Sequence, residues 1–92
     1  MLTLLSIKRN IQIYYRQSVS LKEQYDINLS LEDIKQIVSS KEGDDLLYLP
    51  YELELQQIMR ILALTSIPIE VNMEIYFYVL ECEGIYDWNI QS

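Results

Sequence analysis

"LLSIKRNIQIYYRQSVSL", Leu4 to Leu21, alternates oily and polar residues over eighteen positions. Odd positions hold Leu5, Ile7, Arg9, Ile11, Ile13, Tyr15, Gln17, Val19 and Leu21, while even positions hold Leu4, Ser6, Lys8, Asn10, Gln12, Tyr14, Arg16, Ser18 and Ser20, so one parity is oily and the other mostly polar. A period of two is the pattern of a half-buried strand, one face inward and one outward. A single strand of this length is unusual, so the stretch reads as a hairpin, and parity constrains its turn. A two-residue loop at Arg9-Asn10 would put Ile7 and Gln12 on one face. A three-residue loop at Lys8, Arg9 and Asn10 instead pairs Ile7 with Ile11 and Leu5 with Ile13, and asparagine tolerates the left-handed conformation that closes such a loop. The expectation is two strands, at about 2–7 and 11–19.

Beyond the hairpin, Ser20 with Glu23 has the form of a capping box, and Ser30 with Asp33 is a near-variant of one. After the second, Leu31, Ile34, Ile37 and Val38 share a helical face, which predicts a helix over about 31–39. "SSKEGDD" (39–45) reads as a loop. Pro50 suits a first helical turn, and Leu55, Ile58, Met59 and Leu62 make an apolar stripe, so a second helix is expected over about 51–64. Alternation returns at Ile67, Ile69, Val71, Met73, Ile75, Phe77 and Val79, and from Tyr76 the even positions turn apolar too. A strand over about 67–82, interrupted near Asn72, fits this pattern; a helix over 73–82 is the rival, disfavoured by the β-branched and aromatic content. Trp88 is expected to anchor the tail.

The fold class expected is therefore α+β: one domain over 1–92, a small antiparallel sheet from the N-terminal hairpin and C-terminal strands, and two main helices on its oily face. The expected core is Leu5, Ile7, Ile11 and Ile13 from the hairpin, Ile34, Ile37, Val38, Leu55, Ile58 and Leu62 from the helices, and Ile69, Val71, Phe77 and Val79 from the last strand.

Composition excludes much chemistry. The chain has no histidine, which removes the commonest general base, the commonest zinc ligand and every histidine-containing triad. Its one cysteine, Cys82, makes neither an internal disulfide nor a thiolate cage, and Glu81 and Glu83 beside it disfavour a reactive thiolate. Gly43 and Gly84 stand alone, so there is no phosphate-cradling glycine loop. The carboxylates around Gly43 do not match the spacing of a calcium loop. No enzymatic activity, cofactor or metal is expected. The longest apolar run, Ile75 to Leu80, is far short of a membrane span. A lone cysteine and a poor signal-peptide start point to the cytoplasm.

Net charge is −7, which disfavours nucleic acid and anionic membranes and favours a basic partner. The charge is unevenly placed: residues 1–22 carry Lys8, Arg9, Arg16 and Lys22 and no acid, and all 14 acids lie in 23–92. Basic residues there are expected either to lie beside acidic helices or to blunt an edge strand. The densest acidic stretch is also rich in tyrosine. Glu42, Asp44, Asp45, Tyr48, Tyr51, Glu52 and Glu54 fall within thirteen residues and form the candidate partner-binding surface. Carboxylates steer encounter, and tyrosines anchor interfaces. Reversal of Asp44 and Asp45 is expected to slow association and leave folding nearly unchanged.

The order of hairpin, "LSLEDIKQIV" helix, acidic loop, helix after "YLPY", and strand ending "EIYFYVLECEG" resembles small acidic bacterial immunity proteins of polymorphic or contact-dependent toxin systems. The resemblance implies a cytosolic inhibitor that binds one cognate toxin, often a basic nuclease, and carries over no individual residue. A phage-type inhibitor mimicking nucleic-acid charge shares the same physics. A self-associating accessory protein, with a homodimer formed through a sheet edge, is the alternative of a different class.

Overall fold

The computed structural model describes residues 3–87, and side-chain surroundings from residue 7 to residue 84. Its elements are β1 (Thr3–Tyr15), β2 (Leu21–Ile27), α1 (Leu31–Lys35), β3 (Tyr51–Glu52), α2 (Leu55–Leu64) and β4 (Tyr76–Asp87). The strands form one antiparallel sheet in the order β2-β1-β4-β3. The protein is a small α+β fold, as its patterning indicates.

The opening alternation belongs to one unbroken 13-residue strand, which corrects the hairpin expected at Lys8, Arg9 and Asn10. Such length is sustained because β1 is central. It pairs with β4 from Thr3 to Tyr15 and with β2 from Arg9 to Tyr14. The turn lies at Arg16–Ser20, closed by Val19 N–H to Tyr15 O (2.8 Å) and Tyr15 N–H to Ser20 O (2.9 Å). The chain leaves this turn directly into β2, so Ser20 and Glu23 do not cap a helix. Tyr25 and Ile27 instead continue the oily parity, opposite Ile11 and Arg9.

Val19 closes the turn at φ 54, a left-handed conformation that a β-branched residue adopts only under strain. Its side chain is 65% exposed and adds little packing. Val19→Asn is expected to stabilise the protein by about 1 kcal/mol, read as a Tm rise of roughly 4–8 °C; a lower Tm would show that the valine packs better than its exposure indicates.

Ser30 caps α1, accepting from Asp33 N–H at 3.1 Å, so the second capping signal holds. The helix is shorter than expected and ends at Lys35, after which Ile37 and Val38 still bury in a turn. At α2 the expected start is corrected: Tyr51 and Glu52 are strand, and the helix begins at Leu55 with Glu54 as its N-cap. Its buried residues are Ile58 and Ile61, while Leu55 and Met59 are exposed. The inward stripe is thus rotated from the expected one, with Leu62 only partly buried.

The last strand also differs. Residues 67–72 are irregular, and a turn at Met73–Ile75 precedes β4. The Asn72 side chain organises it, accepting from Glu74 and Ile75 N–H (3.1 and 3.3 Å), and Tyr76 N–H reaches Asn72 O. Ile67, Ile69, Val71 and Met73 still pack against the core, but from outside the sheet. The turn resets the parity. Tyr78 and Leu80 face inward opposite Ile13 and Ile11, whereas Phe77 and Val79 lie on the other face. The rival helix over 73–82 is absent. Leu5 and Trp88 lie outside the residues whose side chains are described.

One core results, between the inner sheet face (Ile11, Ile13, Ile27, Tyr78, Leu80) and the helices and loops that cover it (Ile34, Ile37, Leu47, Ile58, Ile61). The opposite face carries Asn10, which is buried, and the half-buried Gln12, Tyr14, Phe77 and Val79. Among the described residues no helix is long and apolar enough to cross a membrane.

Candidate functional site

The segment between α1 and β3 folds around one carboxylate. Asp44 is only 6% exposed. Its Oδ1 accepts from Tyr48 N–H (2.8 Å), and its Oδ2 accepts from Leu49 N–H (3.0 Å) and the Tyr51 hydroxyl (2.6 Å). The Tyr51 oxygen in turn accepts from Lys41 N–H at 2.8 Å, and the Lys41 ammonium sits 4.8 Å from the Tyr51 ring centroid and donates to Pro50 O. Desolvation pushes the Asp44 carboxyl up, but the Tyr51 hydroxyl and the two amides, with Lys41 nearby, outweigh it and hold the group below the usual carboxylate range. Tyr51 is raised by its burial and by its hydrogen bond to Asp44.

Sequence makes this brace possible in small steps. Gly43 takes φ 82 just before Asp44, a conformation glycine adopts without strain. Leu47 takes φ 56 and drops its side chain into the core. That alternation leaves Leu46, Tyr48 and Leu49 facing outward at 45%, 46% and 47% exposure. From the other side of the loop, Arg9 donates to Leu46 O at 2.7 Å. A loop with three exposed apolar residues is thus fixed at both flanks, with Glu42 and Asp45 exposed beside it.

The seven residues expected at the partner surface divide accordingly. Glu42, Asp45 and Tyr48 stand exposed on the loop. Asp44 and Tyr51 face inward and form its brace, so the expectation that reversing Asp44 leaves folding nearly unchanged is corrected: a reversed charge there would orphan two amides and a phenol. Glu52 pairs with Val79 and so lies on the opposite sheet face, and Glu54 is exposed at the head of α2, where its charge complements the helix dipole. Leu46 and Leu49 escaped the sequence reading. Their signal was "DDLLYLPY", an apolar run inside a loop too polar at its start to be a strand.

The charge asymmetry has an internal explanation. Among the described residues the side-chain ion pairs are Lys8–Asp26 (3.3 Å) and Lys22–Glu23 (3.1 Å). Other cations tether loop carbonyls instead: Arg9 to Leu46, Arg16 to Met73, Lys41 to Pro50 and Arg60 to Gln36. Cations engaged by carbonyls leave carboxylates unneutralised, and the surface stays negative. Arg9 lies between β2 and β4 and blunts no edge, whereas Lys8 lies just beyond the β2 pairing and Lys22 lies in β2, an edge strand of the sheet. Burial pushes the Cys82 thiol up; Arg9 opposes this, and Asp44 and Glu81 add to it, so the thiol is a poor nucleophile. Among the described residues no three Asp, Glu or Cys side chains converge as a metal site.

No curated protein matches the chain, and no solved structure does. A family model described as "Domain of unknown function (DUF7683)" matches residues 8–81, which run from within β1 through most of β4 and include the braced loop, and the chain belongs to that family.

Proposed function

We propose that this protein is a binding inhibitor, an immunity-type partner that neutralises a basic protein in the cytosol by docking through the 42–49 loop. The observation that carries this reading is the Asp44 brace, which presents Leu46, Tyr48 and Leu49 outward between Glu42 and Asp45. Apolar residues held in a fixed geometry lose little freedom on binding. A tyrosine surrounded by them has the composition of a binding hot spot. The flanking carboxylates, on a chain of net charge −7, speed encounter with a cationic surface and reject acidic ones.

The experiment captures partners in the parent organism with tagged wild type, with Tyr48→Ala, and with the Glu42→Lys/Asp45→Lys double variant. The expected result is a basic protein retained by wild type and lost by both variants, whose expression alone arrests growth and whose effect this protein relieves. In stopped-flow kinetics with that partner, the charge reversals slow association and flatten its salt dependence, while Tyr48→Ala speeds dissociation by about tenfold or more. A partner held equally by all three proteins, or one harmless when expressed alone, overturns the reading.

A further inference from the structure

β4 is longer than the strand that covers its outer edge. β3 pairs with it at Tyr51–Leu80 and Glu52–Val79, and Leu53 N–H adds a bond to Tyr78 O at 2.8 Å. Backbone groups alternate in direction along a strand. Tyr78, Leu80, Cys82 and Gly84 therefore turn theirs to this edge, while Glu81 and Glu83 turn theirs to β1. The same register would next set Leu49 against Cys82. The chain does not follow it, because Leu49 N–H goes to Asp44 Oδ2 at 3.0 Å and Tyr48 N–H to Asp44 Oδ1 at 2.8 Å. The carboxylate that shapes the docking loop thus also draws the chain off the sheet. Among the described residues no other backbone group reaches Cys82 or Gly84 from this side. An open edge remains in line with β3 and beside the loop, and both residues are partly exposed.

The side chains along this edge select its occupant. Glu81 and Glu83 lie on the outer sheet face, and among the described residues neither has a basic partner. Lys8, opposite Glu83 on β1, pairs with Asp26 instead, and the Lys41 ammonium is held at Pro50 O. A second copy is opposed by charge. Two-fold axes at Cys82, Glu83 and Gly84 set Glu81 against Glu83, Glu83 against its own copy, and Glu81 against Asp87. Like charges directly opposite destabilise a strand pair, whereas cations opposite the same two acids stabilise it. The other open stretch, β1 before Arg9, carries Lys8 and lies on the β2 side of the sheet.

We propose that the open edge of β4 receives an extended cationic segment of the partner protein, added antiparallel to β4 in line with β3. This rests on the reading of a basic partner at the 42–49 loop and specifies how the sheet holds that partner. Partner residues opposite Cys82 and Gly84 exchange main-chain hydrogen bonds with them, and those opposite Glu81 and Glu83 are lysine or arginine. The segment is therefore cationic at every second position. Its intervening side chains fall on the inner face, the side on which Arg9 holds Leu46 O. Main-chain bonds supply affinity, and the alternate side chains supply specificity.

The probe is a capped pentapeptide alternating lysine and valine, titrated into the intact protein. A few ladder bonds with surface ion pairs correspond to a Kd of about 1 mM, so the titration runs to about 5 mM. Amide exchange is expected to slow about threefold or more at Cys82 and Gly84. It stays unchanged at Glu81 and Glu83, whose N–H groups already face β1. N-methylation of the valines abolishes the protection, because their N–H groups face β4; N-methylation of the lysines leaves it. Glu81→Gln/Glu83→Gln weakens binding about fivefold and removes most of its salt dependence. A peptide that leaves Cys82 and Gly84 unprotected at the top of the titration, or that binds equally whichever amides are methylated, overturns the proposal. The loop reading fails separately. A captured partner that Tyr48→Ala loses and the glutamine variant holds as wild type does overturns the added strand alone. A peptide that protects Cys82 and Gly84 where no partner is captured supports the edge and leaves the loop without its occupant.

Discussion

Truncating Tyr78 to alanine removes much of the protein's stability. The side chain is fully buried in β4, on the inner face opposite Ile13. Its hydroxyl donates to Glu70 O at 2.8 Å and accepts from Asn72 N–H at 2.9 Å, so the ring joins the sheet to the irregular 67–72 segment. Burial holds the phenol pKa above its ordinary value, against the opposing Asn72 amide, so it is a neutral donor at pH 7. Removing an aromatic side chain from a core costs about 3–5 kcal/mol, and the Glu70 carbonyl and Asn72 amide it releases, being only partly buried, turn to water at little further cost. A 92-residue chain has about 5–14 kcal/mol in total at the usual per-residue stability. Urea unfolding of Tyr78→Ala is therefore expected to show a midpoint well below that of wild type, or no folded baseline. Tyr78→Phe keeps the ring and loses the two hydrogen bonds, a smaller loss. Hydrogen exchange at the Asn72 amide separates the two effects: it accelerates in Tyr78→Phe while the β1 amides stay protected. An alanine variant within about 1 kcal/mol of wild type would mean that the site collapses around the gap far better than cores do.

That Tyr78 lies inside, and Phe77 outside, was not legible in the sequence, and the reason is local. Alternation from Ile67 to Val79 runs unbroken in the letters, but the backbone does not. Asn72 accepts two amide hydrogens with its side chain, turns the chain, and restarts the pleat one residue out of phase. A turn built by one asparagine leaves almost no compositional mark. The β1–β2 turn hid for a similar reason. Gln17, Ser18, Val19 and Ser20 contain no glycine, proline or asparagine, and the left-handed position falls to Val19. Lys8, Arg9 and Asn10 looked more turn-like and proved to be mid-strand. Legible signals were those in which one interaction dominates: the Ser30 cap, and the inward Ile11 and Ile13. At the candidate site, the sequence marked the acidic and aromatic stretch. It could not mark which acid turns inward, because that depends on Leu47 entering the core and Gly43 permitting the bend.

Acid should loosen the 42–49 loop before it unfolds the sheet, and Asp44→Asn should abolish that first step. The carboxyl of Asp44 is held below its ordinary value, so in the unfolded chain it binds a proton more readily than in the folded one. The stability it confers is fully present above the unfolded value of about 3.9 and is lost as pH falls through the lower folded value. Protonation weakens acceptance from Tyr48 N–H, Leu49 N–H and the Tyr51 hydroxyl together, since all three donate to this one carboxylate. Tyr51 acts in the opposite sense at high pH. Its raised value means that its contribution is present below about 10 and is lost as pH climbs through the folded value. The measurement is amide exchange at Tyr48 and Leu49, followed from pH 7 to pH 3 against the β1 amides, with a pH series of thermal melts. In wild type, protection at the two loop amides should fall first, once intrinsic exchange is corrected for pH. In Asp44→Asn, protection should already be low at pH 7 and change little on acidification, with a lower Tm at pH 7 and a flatter acid limb. The same variant ties the brace to the proposed docking surface, because it touches no group that a partner would contact. If Leu46, Tyr48 and Leu49 bind as a preformed set, Asp44→Asn speeds dissociation of the partner while association, steered by Glu42 and Asp45, stays near the wild-type rate. Equal protection of Tyr48 and Leu49 in the two proteins would mean that Arg9 and the buried Leu47 hold the loop without the carboxylate, and the fixed presentation of the three apolar residues would then rest on them alone.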